Sequence, residues 1–174
     1  MRPTFFTSDH HFGHANIIEY CKRPFAGVSD MHVQMVRWWN ATVPKDSRVY
    51  YLGDLTLGKV QPFELRTLLA WLNFGQMIIV PGNHDMSPPK LEAVDSRVVV
   101  MKGPICIPLN GRCYWLSHEP MEHFPGQVNL HGHVHNHYER AVGEDGSLWI
   151  NVGVDVRDYR PMSLKQVEKI RRGK

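Results

Sequence analysis

The sequence predicts a layered α/β sandwich, and three observations support that fold class. Strand-like and helix-like segments alternate in the first half of the chain, strand-like segments dominate the second half, and several strands are apolar without alternation. Alternation indicates sheets covered by helices, and uninterrupted apolar strands are typical of a sheet buried on both faces. Because 174 residues suffice for one hydrophobic core, we expect a single domain over residues 1–174 with a mixed sheet.

Seven short segments have the composition of strands, because they concentrate β-branched and aromatic residues. They cover residues 4–7, 48–52, 77–80, 97–101, 113–116, 127–130 and 148–152. Four segments have helical patterns, at residues 15–21, 29–42, 62–74 and 163–171. In the second helix Met31, Met35 and Trp39 recur every four residues, which predicts one buried face. Pro62 suits the first turn of the third helix, and Ser163 suits the cap of the last.

The composition excludes a membrane-spanning protein. Hydrophobic residues make up 43% and charged residues 21% of the chain, and no apolar run is long enough to cross a bilayer. The N-terminus has no apolar stretch followed by a small-residue cleavage site, so we expect a cytoplasmic protein. Cys21, Cys106 and Cys113 are odd in number and widely spaced, which fits neither a disulfide framework nor a cysteine zinc site. We expect all three to be reduced packing residues.

The charge pattern indicates little about macromolecular partners. The formal net charge is +3, and a short basic tail carries Lys169, Arg171, Arg172 and Lys174. This excess can help an anionic substrate approach, but it is too small to predict a nucleic-acid partner. A nucleic acid is therefore possible without being indicated, and the sequence predicts no oligomeric state.

Polar side chains follow five of the predicted strands. These positions are Asp9 and His11, Asp54, Asn83 with His84 and Asp85, His118, and His133 with His135. Because loops converge at the carboxyl edge of an α/β sheet, we expect these residues to form one cluster. The alternative is a set of ordinary capping and turn residues, which explains one or two of them but not the whole series.

The residue types in this series are those of a metal site. Oxygen from Asp and Asn, imidazole nitrogen and no thiolate suit Mn²⁺, Fe or Zn²⁺ better than they suit a structural zinc site. Without His84 and Asp85 the series has seven candidate ligands, which exceed the needs of one four-coordinate ion but fit two ions about 3.5–4 Å apart that share a carboxylate. Asp54 is the carboxylate that we expect both ions to share. Glycines at positions 53, 82 and 132 stand beside ligands and permit close backbone approach.

The ordered series resembles the calcineurin-like metallophosphoesterases. The matching pieces are Asp9-x-His11, Gly53-Asp54, Gly82-Asn83-His84-Asp85, His118 and Gly132-His133-x-His135. The match extends over residues 9–135, and segments 7–18 and 151–155 also look like small single-domain members from bacteria and phages. The resemblance implies a four-layer α/β/β/α sandwich with mixed sheets.

The resemblance also implies a role for each residue of the series. One metal would be held by Asp9, His11, Asp54 and His135, and the other by Asp54, Asn83, His118 and His133. A hydroxide activated by both metals would attack phosphorus, and His84 would protonate the leaving oxygen or steady its charge. Two Mn²⁺ ions are expected, with Fe, Zn²⁺ and Ni²⁺ as alternatives.

One departure from the family pattern argues against phosphoproteins as the substrate. Protein serine/threonine phosphatases of this family have a second aspartate and an arginine after the glycine-aspartate pair, whereas this chain has Leu57 and Gly58. We therefore expect a phosphodiesterase acting on small phosphodiesters or cyclic nucleotides. The alternatives are a nuclease or nucleic-acid end-processing enzyme, and a non-catalytic metal-bound adaptor. The departure leaves open which carboxylate orients His84, and Asp85 is a candidate.

Two further residues are candidates for binding substrate. His14 and Arg23 follow the first metal motif, and arginine matches phosphate with paired donors. Ordinary surface placement is the alternative for both.

Overall fold

The computed structural model describes residues 2–57, 60–124 and 127–173. Its strands are β1 (Thr4–Thr7), β2 (Arg48–Tyr51), β3 (Gln76–Ile79), β4 (Val98–Val100), β5 (Ile105–Leu109), β6 (Arg112–Leu116), β7 (Val128–His131), β8 (Arg140–Val142), β9 (Leu148–Asn151) and β10 (Met162–Ser163). Its α-helices are α1 (Asn16–Tyr20), α2 (Val28–Thr42), α3 (Pro62–Trp71), α4 (Pro88–Glu92) and α5 (Leu164–Arg171). A short 3₁₀ helix covers Val154–Val156.

The first sheet has the strand order β10-β1-β2-β3-β4. Strands β1 to β4 are parallel, and β10 pairs with β1 in the antiparallel sense. Thr7 at the end of β1 is opposite Tyr51 of β2, which is opposite Ile79 of β3. The carboxyl ends of these three strands are therefore level, so the segments that follow them emerge side by side.

The second sheet has the strand order β5-β6-β7-β9-β8. Strands β6, β7 and β9 are parallel, whereas the edge strands β5 and β8 are antiparallel to their neighbours. Leu116 of β6 is opposite Leu130 of β7. The segments that carry His118 and His133 therefore also leave the sheet together.

Two clusters of buried side chains hold the layers together. On one face of the first sheet, Met31, Met35 and Trp39 of α2 are fully buried with residues of α3. On its other face, Phe6 and Leu52 pack with side chains of the second sheet. Helix α5 packs against β1, β9 and β10. Two mixed sheets sandwiched by helices confirm the predicted fold class. Among the described helices, none combines the length and the apolar composition needed to cross a membrane.

The elements that the sequence did not predict are short or lie at edges. Strands β5 and β8 border the second sheet with partly exposed side chains, β10 has two residues, and α4 has five. Such elements lack a long apolar pattern. The third predicted helix is shorter than expected, because Leu72 adopts an extended conformation and ends α3 at Trp71.

The prediction for the cysteines was wrong at two positions. Cys106 and Cys113 are joined by a disulfide across the β5–β6 hairpin, and neither is buried. Their separation in sequence hid the pairing, since a hairpin returns residue 113 to the neighbourhood of residue 106. Cys21 is free and buried, as expected.

Candidate active site

The level strand ends of the two sheets bring the predicted metal ligands together around Asp54. Its Oδ2 atom lies 3.4 Å from Nε2 of His11 and 3.5 Å from Nε2 of His118. His11 belongs to the segment after β1, whereas His118 follows β6 of the other sheet. One carboxylate oxygen therefore lies between two groups of potential ligands.

The first group contains Asp9, His11 and His135. One ligand atom from each lies within 4.8 Å of the others. The rings of His11 and His135 stack with their centroids 5.3 Å apart. These residues are three of the four that the resemblance assigned to one metal, and Asp54 is the fourth.

The second group is organised by the Nε2 atom of His118. That nitrogen lies 3.0 Å from Oδ1 of Asn83 and 3.2 Å from Nδ1 of His133. Asp9, Asp54 and His118 also offer ligand atoms within 4.8 Å of one another. Asn83 and His133 are exposed, whereas His118 is buried, so the group opens toward solvent on one side.

The buried polar atoms of the site fit divalent cations. Both ring nitrogens of His11 are buried, and neither has a hydrogen-bond partner among the described residues. Asp9 is fully buried, and that burial raises the pKa of its carboxyl group above the usual value, although nearby histidines and Ser8 oppose the shift. Burial, followed by the neighbouring His135, lowers the pKa of His11 to about 2. A cation would stabilise the buried carboxylate and accept the lone pair of a neutral imidazole.

Five of the seven proposed ligands adopt the left-handed backbone region. The φ angles are +60° for Asp9, +52° for His11, +57° for Asp54, +69° for His133 and +47° for His135. Few non-glycine residues have positive φ, and such conformations are concentrated at functional sites. The surrounding structure must therefore hold the three segments that carry these five residues in place.

Three glycines make room for the ligands. A Cβ atom at Gly82 would collide with the carboxylate of Asp54, and one at Gly132 would collide with the carboxylate of Asp9. At Gly53 it would meet the ring of His118. The close approach inferred from the repeated glycines is present at all three positions.

Hydrogen bonds from the Nδ1 atoms, which face away from the cluster, orient two of the histidines. Nδ1 of His118 lies 2.9 Å from the carbonyl oxygen of Leu52, and Nδ1 of His135 lies 2.8 Å from Oδ2 of Asp155. An Nδ1–H that donates in this way leaves Nε2 as the lone-pair nitrogen that faces the cluster. Burial lowers the pKa of His135, but the hydrogen bond with Asp155, the contact with Cys21 and the charge of Asp9 together outweigh burial and raise the pKa to about 10.

His84 and His14 lie at the rim of the cluster. The ring centroid of His84 is 5.3 Å from that of His11 and 6.3 Å from that of His14, and both rim residues are half-buried. The backbone N–H of His84 donates to Oδ1 of Asp54 at 2.9 Å. Both side chains thus lie beside the candidate ligands and are partly open to solvent.

The structure corrects the prediction that Arg23 binds substrate. Arg23 is buried, and its guanidinium pairs with both oxygens of Asp155 at 2.7 and 2.9 Å. It also donates to the backbone carbonyls of Asp9 and His10. The donors of the guanidinium are therefore used by contacts within the fold. Sequence reasoning assigned no role to Asp155, although the segment 151–155 carried part of the family resemblance.

The candidate role of Asp85 is also corrected. Its carboxylate accepts hydrogen bonds from the backbone N–H groups of Asp54, Leu55 and Gly82, which use both of its oxygens. Burial raises its pKa to about 6. Asp85 therefore connects the segment after β2 to the segment after β3.

Gly58, which stands where the protein phosphatases of the family have an arginine, lies outside the described residues.

Comparisons with known proteins find relatives that match most of this chain. An uncharacterized protein of Methanocaldococcus jannaschii is 37% identical over 98% of this chain and 92% of its own length. The gene 66 protein of Mycobacterium phage D29 is 28% identical over 93% of each chain. The crystal structure of a protein of unknown function from Aquifex aeolicus has the same fold, with a TM-score of 0.74 and 24% identity over 98% of this chain and 100% of that one. The family model of the calcineurin-like phosphoesterases matches residues 3–156, and the chain therefore belongs to that family.

Proposed function

We propose that this phosphoesterase is a metal-dependent phosphodiesterase that hydrolyses small phosphodiesters or cyclic nucleotides. In this proposal residues 1–174 act as a single cytoplasmic domain with two divalent metal ions, of which Mn²⁺ is the first to test and Fe, Zn²⁺ and Ni²⁺ are the alternatives. The observation that carries it is the position of the Asp54 carboxylate between His11 and His118. A shared carboxylate between two ligand groups is the arrangement that a two-metal phosphoesterase needs.

The proposed metal ligands divide between the two groups described above. Asp9, His11 and His135 would hold one ion, Asn83, His118 and His133 would hold the other, and Asp54 would contribute to both. When bound, two divalent cations offset the negative charge of the phosphoryl oxygens and lower the pKa of water toward neutrality.

In this proposal the two rim histidines, His84 and His14, act directly on the substrate. His84 is within reach of the cluster and is only half-buried, so its ring can deliver a proton to the oxygen of the leaving alcohol. His14 faces His84 across 6.3 Å between ring centroids and can donate to a phosphoryl oxygen. In the proposal these two residues contact substrate and leave metal binding to the others.

A diester carries less negative charge than a monoester, so its binding requires fewer cationic side chains. A monoester acquires a second negative charge above a pKa of about 6, whereas a diester has one charge. Family members that act on phosphoproteins carry an arginine after the glycine-aspartate pair, and this chain does not. Arg23 cannot replace it, because Asp155 and two backbone carbonyls occupy its guanidinium.

The test compares a diester with the matching monoester. Metal-stripped protein is loaded with Mn²⁺, its metal content is measured, and hydrolysis of bis-p-nitrophenyl phosphate and p-nitrophenyl phosphate is followed at equal concentrations. We expect faster diester turnover, and its loss in an Asp54→Asn control. Equal or faster monoester turnover would refute the diester preference, and loaded protein that hydrolyses neither compound would refute the enzymatic function.

The natural substrate class requires a second panel. Cyclic 2′,3′- and 3′,5′-nucleotides, simple diesters and short oligonucleotides are compared with the same loaded protein. Preference for the small compounds supports the proposal. Preference for oligonucleotides would instead identify a nuclease or an end-processing enzyme.

A further inference from the structure

A buried ion pair lies directly behind the proposed metal site. Arg23 and Asp155 face each other with side chains that are 0% and 2% exposed. The guanidinium Nε donates to Oδ1 of Asp155 at 2.7 Å, and Nη2 donates to Oδ2 at 2.9 Å. This two-point pairing fixes both groups in one plane. We call the pair the Arg23–Asp155 brace.

The brace touches two separate segments that carry proposed ligands. On one side, Oδ2 of Asp155 lies 2.8 Å from Nδ1 of His135, which follows β7. On the other side, the guanidinium donates to the backbone carbonyl of Asp9 at 2.7 Å and to that of His10 at 2.8 Å, just after β1. A single rigid pair therefore joins the segments after one strand of each sheet.

Both segments need such support. Asp9, His11 and His135 all have positive φ, which is a strained conformation for residues with a side chain. The hydrogen bonds from Arg23 to the carbonyls of Asp9 and His10 fix the peptide planes on both sides of His10. The bond from His135 to Asp155 fixes the direction of the imidazole ring.

The contacts of the brace are confined to one of the two ligand groups. It reaches Asp9 directly, His11 through the carbonyl of the preceding residue, and His135. In the other group, His118 is oriented by a different contact, the carbonyl oxygen of Leu52. The brace and the carbonyl of Leu52 thus orient histidines of different ligand groups.

We propose that Arg23 and Asp155 are positioning residues for one metal only, the ion held by Asp9, His11 and His135. This inference rests on the proposed metal set but goes beyond it, because it assigns the two metal positions separate supports. Weakening the brace should then weaken one metal site and spare the other. A merely structural ion pair would instead destabilise the fold to the same extent with or without metal.

The test uses two variants and a matched control. Asp155→Asn keeps a neutral acceptor for His135 but removes the charge opposite Arg23. Arg23→Lys keeps the positive charge, but its ammonium group has three N–H donors and cannot reproduce the two bonds to Asp155 together with the bonds to both carbonyls. Asp95→Asn is the control, because Asp95 also pairs with an arginine, Arg97 at 2.6 Å, and the same change breaks that pair away from the site.

Two measurements separate positioning from general stability. Mn²⁺ titration, with the free ion followed by electron paramagnetic resonance, gives the affinities of both metal positions. Thermal unfolding in EDTA and in Mn²⁺ gives the rise in melting temperature that metal binding causes. We expect wild-type protein and Asp95→Asn to bind two ions alike. Asp155→Asn and Arg23→Lys should weaken one affinity by about 10- to 100-fold, keep the other, and show a smaller metal-dependent rise.

Each other outcome counts against the inference in a distinct way. Unchanged affinities in both variants, with melting temperatures lowered equally in EDTA and in Mn²⁺, would show that the pair is only structural. Equal weakening of both affinities would refute selectivity for one metal. If Asp155→Asn does not fold, Arg23→Lys decides between these results. Wild-type protein that binds no Mn²⁺ or other divalent ion would overturn the proposed function, and the inference with it.

Discussion

The Nδ1 atom of His133 lies 3.2 Å from the Nε2 atom of His118, although the two residues follow different strands. Oδ1 of Asn83 lies 3.0 Å from the same Nε2 atom. Because Nδ1 of His118 faces the carbonyl of Leu52, its Nε2 atom has a lone pair directed toward these neighbours. Three lone-pair atoms that converge on one point are the arrangement that a cation stabilises.

Replacing His118 should therefore remove one metal. We expect His118→Ala to bind about one Mn²⁺ per chain instead of two, since Asp9, His11 and His135 remain in place. Metal content after dialysis checks this prediction. His123→Ala is the matched control, because His123 is exposed, and it should retain both ions. Two retained ions in His118→Ala would contradict the assignment of this residue.

Replacing His84 should separate proton transfer from metal binding. We expect His84→Ala to keep both metals and to lose turnover by about 10²- to 10⁴-fold with a diester that has a poor leaving group. The loss should be smaller with a nitrophenolate leaving group, which departs without a proton. Steady-state kinetics with the two kinds of diester check this prediction. Equal rates in the variant and the wild type would remove His84 as the proton donor.

A single added methyl group at Gly82 should disturb the site. The new Cβ of Gly82→Ala would collide with the carboxylate of Asp54, so we expect weaker binding of both metals and a loss of about 1–3 kcal/mol in the free energy of unfolding. Metal titration and chemical denaturation measure the two effects. Gly27→Ala is the comparison, because its added Cβ has no atom within 4 Å among the described residues beyond its chain neighbours, and its φ of 172° is extended. An equally small effect at both positions would show that the Asp54 segment can shift.

His32 should make stability depend on pH. Its Nε2 accepts a hydrogen bond of 2.7 Å from the N–H of Gly13, next to the first metal motif, and burial lowers its pKa below the usual value. A histidine with a lowered pKa in the folded state stabilises the fold fully above the unfolded pKa of about 6.5 and loses that contribution as pH falls through the folded pKa.

The comparison with His32→Asn isolates this effect from the other buried histidines. We expect the stability of the wild type, measured by urea unfolding of metal-free protein, to fall more steeply between pH 7.5 and pH 5.5 than that of the variant. Parallel curves for the two proteins would show that His32 does not contribute. The pKa of His32 would then be the same in the folded and the unfolded protein.

The strongest sequence predictions rested on repeated local patterns. Met31, Met35 and Trp39 identified the buried face of α2 because helical periodicity reflects which side of a helix leaves water. Edge strand β5 and the paired Cys106 and Cys113 were missed, since their structure depends on a hairpin partner rather than on their own pattern. Local sequence carries little information about such contacts.

The sequence by itself determined the residue types of the site and their order after successive strands, which was enough to indicate the family. Only the tertiary structure decided what each charged side chain contacts. Arg23 looked available for phosphate until folding placed it against Asp155, 132 residues away in the chain. Asp85 looked suited to orient His84 until its carboxylate met three backbone N–H groups. A buried charge takes the partners that the packed sheets bring within hydrogen-bonding distance, and spacing along the chain does not reveal them.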